Sequence, residues 1–515
     1  MSDPCTVAEV LRAQRRHGDK PLLICDDERL SYAEADERSA VLAARLTTLG
    51  VGKGSHVGIL YPNGAQWVVA MLAAARIGAV VVPFSTFSTA VELRRQLRDS
   101  DVGVLLATRA FRTHDYVRAL GEAVGVPLDD GPLLSAEVPV LRHVVFDAEC
   151  GGAADVSALE GDVDGSDVLA IIYTSGSTSD PKGVVHTHTS LLAHQRGLNE
   201  IRGLTAEDRL FCNSPFFWIG GFAFGLLATL VAGSTLICST ASDAGRTLDL
   251  LEAEKPTMTN GFVAGITHLT RHPSFARRDL SSMRRGNLYS IMAPDVRPAD
   301  PELRHNMLGM TEAGSVVLLS GDESDQPEAR RGSYGFLAPG FDARVVDPDT
   351  GSDTDGAVGE LLLRGPHLMQ RYYGRSREEC FDADGWFHTG DLVRRDDDGV
   401  FYFVGRAGSM IKTAGANVAP AEVEKALSAA LQAVDAGVAV HVVGLPDPER
   451  GQIVAAVIAT DNGTVFDEPA VKEALSTQVS AYKIPRRVLS LRHTEIPTMS
   501  SGKIDLPALR RLFDD

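Results

Sequence analysis

Three apolar runs, residues 57–60, 79–83 and 102–107, alternate with two stretches, 65–78 and 91–98, whose apolar residues recur at helical spacing. Runs that are apolar from end to end belong to strands covered on both faces. Strands separated by helices join in parallel through right-handed crossovers. The segment therefore predicts an α/β fold with a parallel sheet held between helical layers. At 515 residues the chain exceeds what one hydrophobic core organises, so further domains must follow. Beyond residue 332 the texture changes. Short strands at 342–347, 359–364 and 400–404, punctuated by Asp-Gly and Thr-Gly turns, predict an antiparallel, barrel-like subdomain over about 332–405. A helix at 421–430, strands at 441–444 and 453–459, and a helix at 470–479 predict a small α+β domain over 411–515. The Gly-, Ala- and Asp-rich stretch 149–166 reads as a surface connection.

One segment could mislead. Residues 219–238 run twenty positions without a charge, long enough to cross a bilayer. Gly220, Gly221, Gly225 and Gly233 interrupt the run, and no Lys or Arg flanks it. A buried helix feeding a core strand is the better expectation, with no membrane span. The formal charge of -18 argues against nucleic acid as a partner, because phosphate-backbone binding needs clustered Lys and Arg. The six cysteines, Cys5, Cys25, Cys150, Cys212, Cys238 and Cys380, form no Cys-x-x-Cys pair and read as reduced structural thiols. Residues 1–20 carry scattered charges and no apolar run, so a cytoplasmic protein without a secretory signal is expected.

The apolar run 168–174 leads into the most informative loop: Thr174, Ser175, Gly176, Ser177, Thr178, Ser179, Asp180, Pro181, Lys182, Gly183. Small hydroxyl residues and glycine after a strand let backbone N–H groups and hydroxyls surround a polyphosphate, and Lys182 adds a compact positive charge. The loop is not a P-loop, because Lys182 follows Pro181 rather than the glycine a Walker sequence requires. A Ser/Thr-rich surface turn would carry the same residues.

Further segments decide between these readings. Asn306 to Glu312 reads Asn-Met-Leu-Gly-Met-Thr-Glu, Gly385 to Asp391 reads Gly-Trp-Phe-His-Thr-Gly-Asp, and Gly405-Arg406, Ile411 to Gly415 and Ser501-Gly502-Lys503 follow. In this order and spacing, over about residues 30–509, the chain resembles the class I adenylate-forming superfamily: acyl- and aryl-CoA synthetases, adenylation domains of peptide synthetases, and luciferase. The resemblance implies a large N-terminal domain, 1–405, of two doubly wound, mostly parallel sheets plus the barrel-like subdomain. It also implies a hinge at 406–410 and a small mobile C-terminal domain, 411–515. The implied reaction is attack of a carboxylate on ATP, release of pyrophosphate, and transfer of the acyl group to CoA.

Roles follow residue by residue from the resemblance. Thr178 with Thr174, Ser175, Gly176, Ser177 and Lys182 would hold the β- and γ-phosphates. Leu308, Gly309 and Met310 would border the nucleotide, and Thr311 and Glu312 would bind phosphate and Mg²⁺, a hard cation that prefers carboxylate oxygen. Asp391 would accept hydrogen bonds from the ribose, with Arg406 beside it, and Lys503 would bridge the carboxylate and the α-phosphate. Gly415 would line the pantetheine path, and Phe217, Trp218, Phe222, Val263, Ala293 and Pro294 the acid pocket. Each residue also has a plainer use, as a turn cap, an arginine partner, a solvated lysine or core packing.

The chain departs from the family pattern at four places. Ser409 stands at the usual acidic hinge position, Leu308 at the position of an aromatic residue that stacks on adenine, Ser179 at the final glycine of the phosphate loop, and Trp218 at a frequent histidine. Trp218 with Phe217 and Phe222 favours a compact or aromatic acid over a long fatty chain. The expected function is a CoA ligase for such an acid. The alternative keeps the adenylation and changes the acceptor or acid: amide formation, loading of a carrier protein, or activation of nitrite by a diazotase-like enzyme.

Overall fold

A computed structural model describes residues 3–128, 131–148, 152–174, 181–354, 356–406, 411–413, 416–418, 420–432, 437–476, 478–479, 481–499 and 503–514. The chain forms two compact units, one from Met1–Thr174, Pro181–Asp342 and Arg364–Gly385, the other from Ala343–Leu363 and Trp386–Asp515.

The first unit contains two mostly parallel sheets. In the seven-stranded sheet the order is Arg371–Tyr372, Gly183–Thr187, Val168–Tyr173, Val80–Pro83, His56–Leu60, Val104–Ala107 and His143–Phe146. Gly183–Thr187 is antiparallel to both its neighbours and all the other pairings are parallel, so the alternation expected over 57–107 forms the centre of this sheet. The six-stranded sheet runs Arg285–Gly286, Met258–Asn260, Arg209–Cys212, Thr235–Cys238, Pro21–Cys25 and Glu28–Ser31, parallel except for its last pair. Helix Ala65–Arg76 is buried at every position but Gln66, Trp67 and Met71 included, and from Trp67 to Ala75 it is apolar on every side, as a helix enclosed on all faces must be. Cys25, Cys212 and Cys238 are free thiols buried on adjacent strands of the second sheet.

Arg76, at the end of that helix, is equally buried. Its guanidinium donates to Glu160 Oε1 (Nε, 2.7 Å), Asp36 Oδ1 (2.8 Å) and Ser39 Oγ (2.8 Å). Glu160 belongs to a helical turn, Ser157–Gly161, inside the stretch expected to be a surface connection. Polar composition suggested solvent there, but pairing with a buried arginine draws the glutamate inward. The uncharged run 219–238 forms a π-helical segment, Gly220–Leu227, continued by α-helix Ala228–Ala232 and then core strand Thr235–Cys238. That is the expected helix feeding a strand, and no helix among the described residues is long and apolar enough to cross a membrane.

The second unit has a four-stranded antiparallel sheet in the order Asp342–Val346, Gly359–Arg364, Phe387–Arg395, Phe401–Arg406, as the turn-punctuated sequence predicts. Its other sheet is built on the hairpin Ala439–Asp447 and Gly451–Thr460, in unbroken register from Ala439↔Ala459 to Asp447↔Gly451, with Arg487–Arg492 added in parallel. Alternation divides the hairpin's side chains. Val442, Val454, Ala456 and Ile458 pack on Leu427, Val471 and Leu475, while Val443, Leu445, Ala455 and Val457 pack on Leu509 and Phe513.

Candidate active site

Strand Val168–Tyr173 delivers Thr174, whose N–H donates to the carbonyl of Lys182 at 3.0 Å, and the chain re-enters the sheet at Gly183–Thr187. Ser175, Gly176, Ser177, Thr178 and Ser179 lie outside the described residues, so the structure defines the two ends of the loop. Edge strand Arg371–Tyr372 pairs beside them, Val184 opposite Tyr372. The Lys182 ammonium lies 5.0 Å from the centre of the Tyr372 ring, and the Tyr372 hydroxyl donates to Glu312 Oε1 at 2.8 Å. Tyr372 thus joins the lysine of the loop to the glutamate of the Thr311-Glu312 pair. Burial, then the charge of Glu312, raises the phenol far above its ordinary pKa, so it stays a donor.

The backbone carrying Glu312 is fixed from behind. Met369 N–H donates to the Glu312 carbonyl at 2.8 Å, and His186 Nε2–H donates to the Thr311 carbonyl at 2.7 Å. Burial holds His186 neutral, with its pKa pushed down to about 4. Beyond the one-turn helix Thr311–Ala313, Ser315 adopts φ 146°, a strained value for a non-glycine residue, and Gln195 Nε2 donates to Ser315 Oγ at 3.1 Å. Gly309 must be glycine here, since a Cβ would stand 2.9 Å from the Ser315 carbonyl oxygen. Leu308 is half-buried at the head of strand Leu308–Met310, and Met310 is buried.

In the second unit, Asp391 and Arg406 face each other across paired strands, and Arg406 Nε donates to Asp391 Oδ1 at 2.8 Å. Asp391 is buried while Arg406 is exposed, so the carboxylate is anchored and the guanidinium reaches solvent. Thr389 Oγ1 accepts from Asp391 N–H at 3.0 Å, and Glu360 Oε1 accepts from Gly390 N–H at 2.9 Å. Met499 N–H donates to the Lys503 carbonyl at 2.8 Å. Partial desolvation, then the positive charge of Arg406, lowers the Lys503 ammonium pKa, which puts both cations in one electrostatic neighbourhood. Gly415, Ser501, Gly502 and residues 407–410 of the expected hinge, Ser409 among them, lie outside the described residues.

The residues expected to line an acid pocket divide. Phe217 and Trp218 meet edge to face at 5.5 Å and gather two rings that sequence reading missed, Phe87 and Phe262. Phe222 instead packs edge to face against Trp67 in the core, and Ala293 is buried, while Val263 and Pro294 are exposed. The turn before Trp218 is held by Asn63, which accepts from Phe216 N–H and donates to the Ser214 carbonyl. Gly221 lets the π-helical segment close on that turn, because a Cβ there would lie 2.1 Å from the Pro215 carbonyl oxygen. The same segment packs against strand Ser315–Leu319, which follows Glu312 in the chain. A signal existed for Phe87, which follows the apolar strand Val80–Pro83 by four residues, where α/β sheets present their ligand-facing loops; the strand before Phe262, Met-Thr-Asn, is buried but carries no such apolar run.

Residues 10–373 match the model of the AMP-binding enzyme family, and residues 422–503 that of the AMP-binding enzyme C-terminal domain. The chain belongs to the AMP-binding enzyme family. It is 32% identical to a feruloyl-CoA synthase of an Amycolatopsis species, over 94% of each protein. It is 30% identical to 4-coumarate-CoA ligase 1 of Narcissus pseudonarcissus, over 96% of this chain and 90% of that one. Among solved structures, the anthranilate CoA ligase AuaEII in complex with anthranoyl-AMP matches with a TM-score of 0.78 at 23% identity, covering 98% and 97% of the two chains. The amide bond synthetase McbA from Marinactinospora thermotolerans matches equally, at 0.78 and 23%, covering 99% and 100%. At these identities the structural matches establish the shared fold.

Proposed function

We propose that this chain is an AMP-forming acid–CoA ligase that adenylates a small or aromatic carboxylic acid, releases pyrophosphate and passes the acyl group to CoA. The observation that carries the reading is the convergence of Lys182 and Glu312 on Tyr372 at the ends of the Thr174–Lys182 loop. A lysine, a carboxylate and a hydroxyl-rich loop together suit a nucleotide polyphosphate. Relatives named for feruloyl and coumaroyl substrates support an aryl acid and CoA as the acceptor.

Each residue has a role in this reading. Thr174, Lys182 and loop residues 175–178 hold the β- and γ-phosphates. Leu308, Gly309 and Met310 border the adenine, where Leu308 supplies apolar contact without an aromatic face. Asp391 accepts from the ribose hydroxyls, oriented by Arg406. Lys503 donates to the oxygens that gain charge as the acid attacks the α-phosphate.

No three His, Cys, Asp or Glu side chains cluster as a metal cage among the described residues. That donor set still fits Mg²⁺, which typically takes one or two carboxylates and completes its shell with substrate phosphates and water. Glu312, oriented by Tyr372, with the Thr311 hydroxyl would hold the ion, which would supply charge neutralisation of the leaving pyrophosphate.

Pyrophosphate release over a panel of acids and nitrite, with and without CoA, followed by mass spectrometry, tests the reading. A CoA thioester formed from an acid is the expected product. An acid-dependent AMP product unaffected by CoA would point to another acceptor, and no acid-dependent turnover of ATP would sink the assignment.

A further inference from the structure

Phe87 and Phe262 are large apolar residues left 38% and 49% exposed, whereas the neighbouring core aromatics Phe216 and Phe222 are fully buried. Their exposure is built in. Asn213 clamps the Phe262 backbone with both ends of its amide, accepting from Phe262 N–H at 2.8 Å and donating to its carbonyl at 2.9 Å. The Phe87 N–H is tied to Ser85 Oγ at 3.1 Å. The two rings approach from different sheets, Phe87 after strand Val80–Pro83 and Phe262 after strand Met258–Asn260, and both follow carboxyl ends of parallel strands.

Between them stand Phe217 and Trp218. Phe217 meets Phe87 at 5.5 Å and 86°, Trp218 meets Phe262 at 5.4 Å and 78°, and Phe87 lies 6.2 Å from Trp218. Four rings disposed edge to face present both ring edges and ring faces, the geometry that a further aromatic ring prefers. The four rings carry no charge and one hydrogen-bonding group, the Trp218 N–H, so a charged substituent laid against them would give up water on that side and gain no charged partner from them.

From this we propose that Phe87 and Phe262 are specificity-determining residues which, with Phe217 and Trp218, form a slot for the ring of the acid. The substrate class is a flat aryl monocarboxylic acid whose ring bears no second charge. The inference rests on the ligase reading above and names the acid class of that site.

The test is kcat/KM for ATP-dependent acyl-CoA formation by the full chain with benzoate, cinnamate, phthalate and hexanoate, in wild type, Phe87→Ala and Phe262→Ala. Wild type is expected to prefer benzoate or cinnamate to hexanoate and to reject phthalate. Each alanine variant should lower the aryl-to-hexanoate ratio about three- to tenfold, the loss of one edge-to-face partner. Phe87→Leu, which keeps the apolar bulk and loses the ring, should lower the ratio in the same direction even if Phe87→Ala folds poorly. Wild-type turnover with ratios unchanged in all three variants, or a wild-type preference for hexanoate or phthalate, overturns the slot and leaves the ligase standing. No acid-dependent ATP turnover by wild type overturns both.

Discussion

Replacing Tyr372 tests whether the lysine–tyrosine–glutamate cluster works as one unit. Tyr372→Phe removes the hydroxyl that donates to Glu312 at 2.8 Å and keeps the ring face beneath the Lys182 ammonium. A hydrogen bond to a charged acceptor contributes about 1.5–3 kcal/mol. Glu312 is half-buried, so the lower end applies, roughly a tenfold loss. Tyr372→Leu also removes the ring, and a cation over an aromatic face at a partly exposed site adds about 0.5–1 kcal/mol, a further two- to fivefold. The two losses share neighbours and need not add.

The assay is acid-dependent exchange of pyrophosphate with ATP at varied MgATP. The loss should fall on the half-saturating MgATP concentration, because Glu312 is the residue proposed to meet the metal–phosphate group. Burial and the Glu312 charge raise the phenol pKa, so the hydroxyl donates across roughly pH 6 to 9 and the deficit of Tyr372→Phe should be flat over that range. A half-saturating MgATP within twofold of wild type in Tyr372→Phe would refute the idea that this bond orients Glu312.

Lys503→Ala should lower the rate of adenylate formation by about 10²–10³, read as acid-dependent pyrophosphate release, and leave thermal stability unchanged because the side chain is exposed. Glu160→Ala removes one of the two carboxylates paired with the buried Arg76 guanidinium, leaving Asp36, and should destabilise the first unit by about 1.5–3 kcal/mol, a drop of several degrees in Tm by differential scanning fluorimetry. His186, His188 and His194 are buried neutral, with pKa values pushed down to about 4, 4 and 3 by burial. Protonation in the unfolded chain below its ordinary value of about 6.5 therefore draws the equilibrium toward unfolding. The stability is complete above that pH and falls by about 1.4 kcal/mol per pH unit for each histidine as pH drops toward 4, measurable as urea midpoints at about pH 7.5, 6 and 5. Gly221→Ala places a methyl 2.1 Å from the Pro215 carbonyl oxygen and should cost about 1–3 kcal/mol, seen as a lower Tm with weakened binding of the acid.

What could be read from the sequence divides according to whether the physics is local. Val80 to Pro83 and Val104 to Ala107 declare themselves because a strand buried on both faces is apolar at every position, and the strand expected at 453–459 does so for the same reason, its two faces covered by separate apolar clusters. Thr311, Glu312 and Asp391 could be singled out as candidates because a short run of unusual residues carries each one. Tyr372 was not: it reaches Glu312 across sixty residues through an edge strand, and nothing in Gln-Arg-Tyr-Tyr marks which tyrosine turns inward. Glu160 was hidden for the opposite reason, since the Gly- and Asp-rich composition around it is that of an exposed loop and only the far-off Arg76 gives it a reason to be buried. The π-helical geometry of Gly220–Leu227 left no trace in a run without a polar face, because hydrophobic periodicity needs contrast to register. Phe87 and Phe262 fall between these cases. An aromatic residue just beyond a core strand can be found in sequence, but that two such residues from separate sheets meet the same pair of rings is a property of the packed sheets. The contacts proposed to govern acid selectivity are therefore those least visible in any single segment.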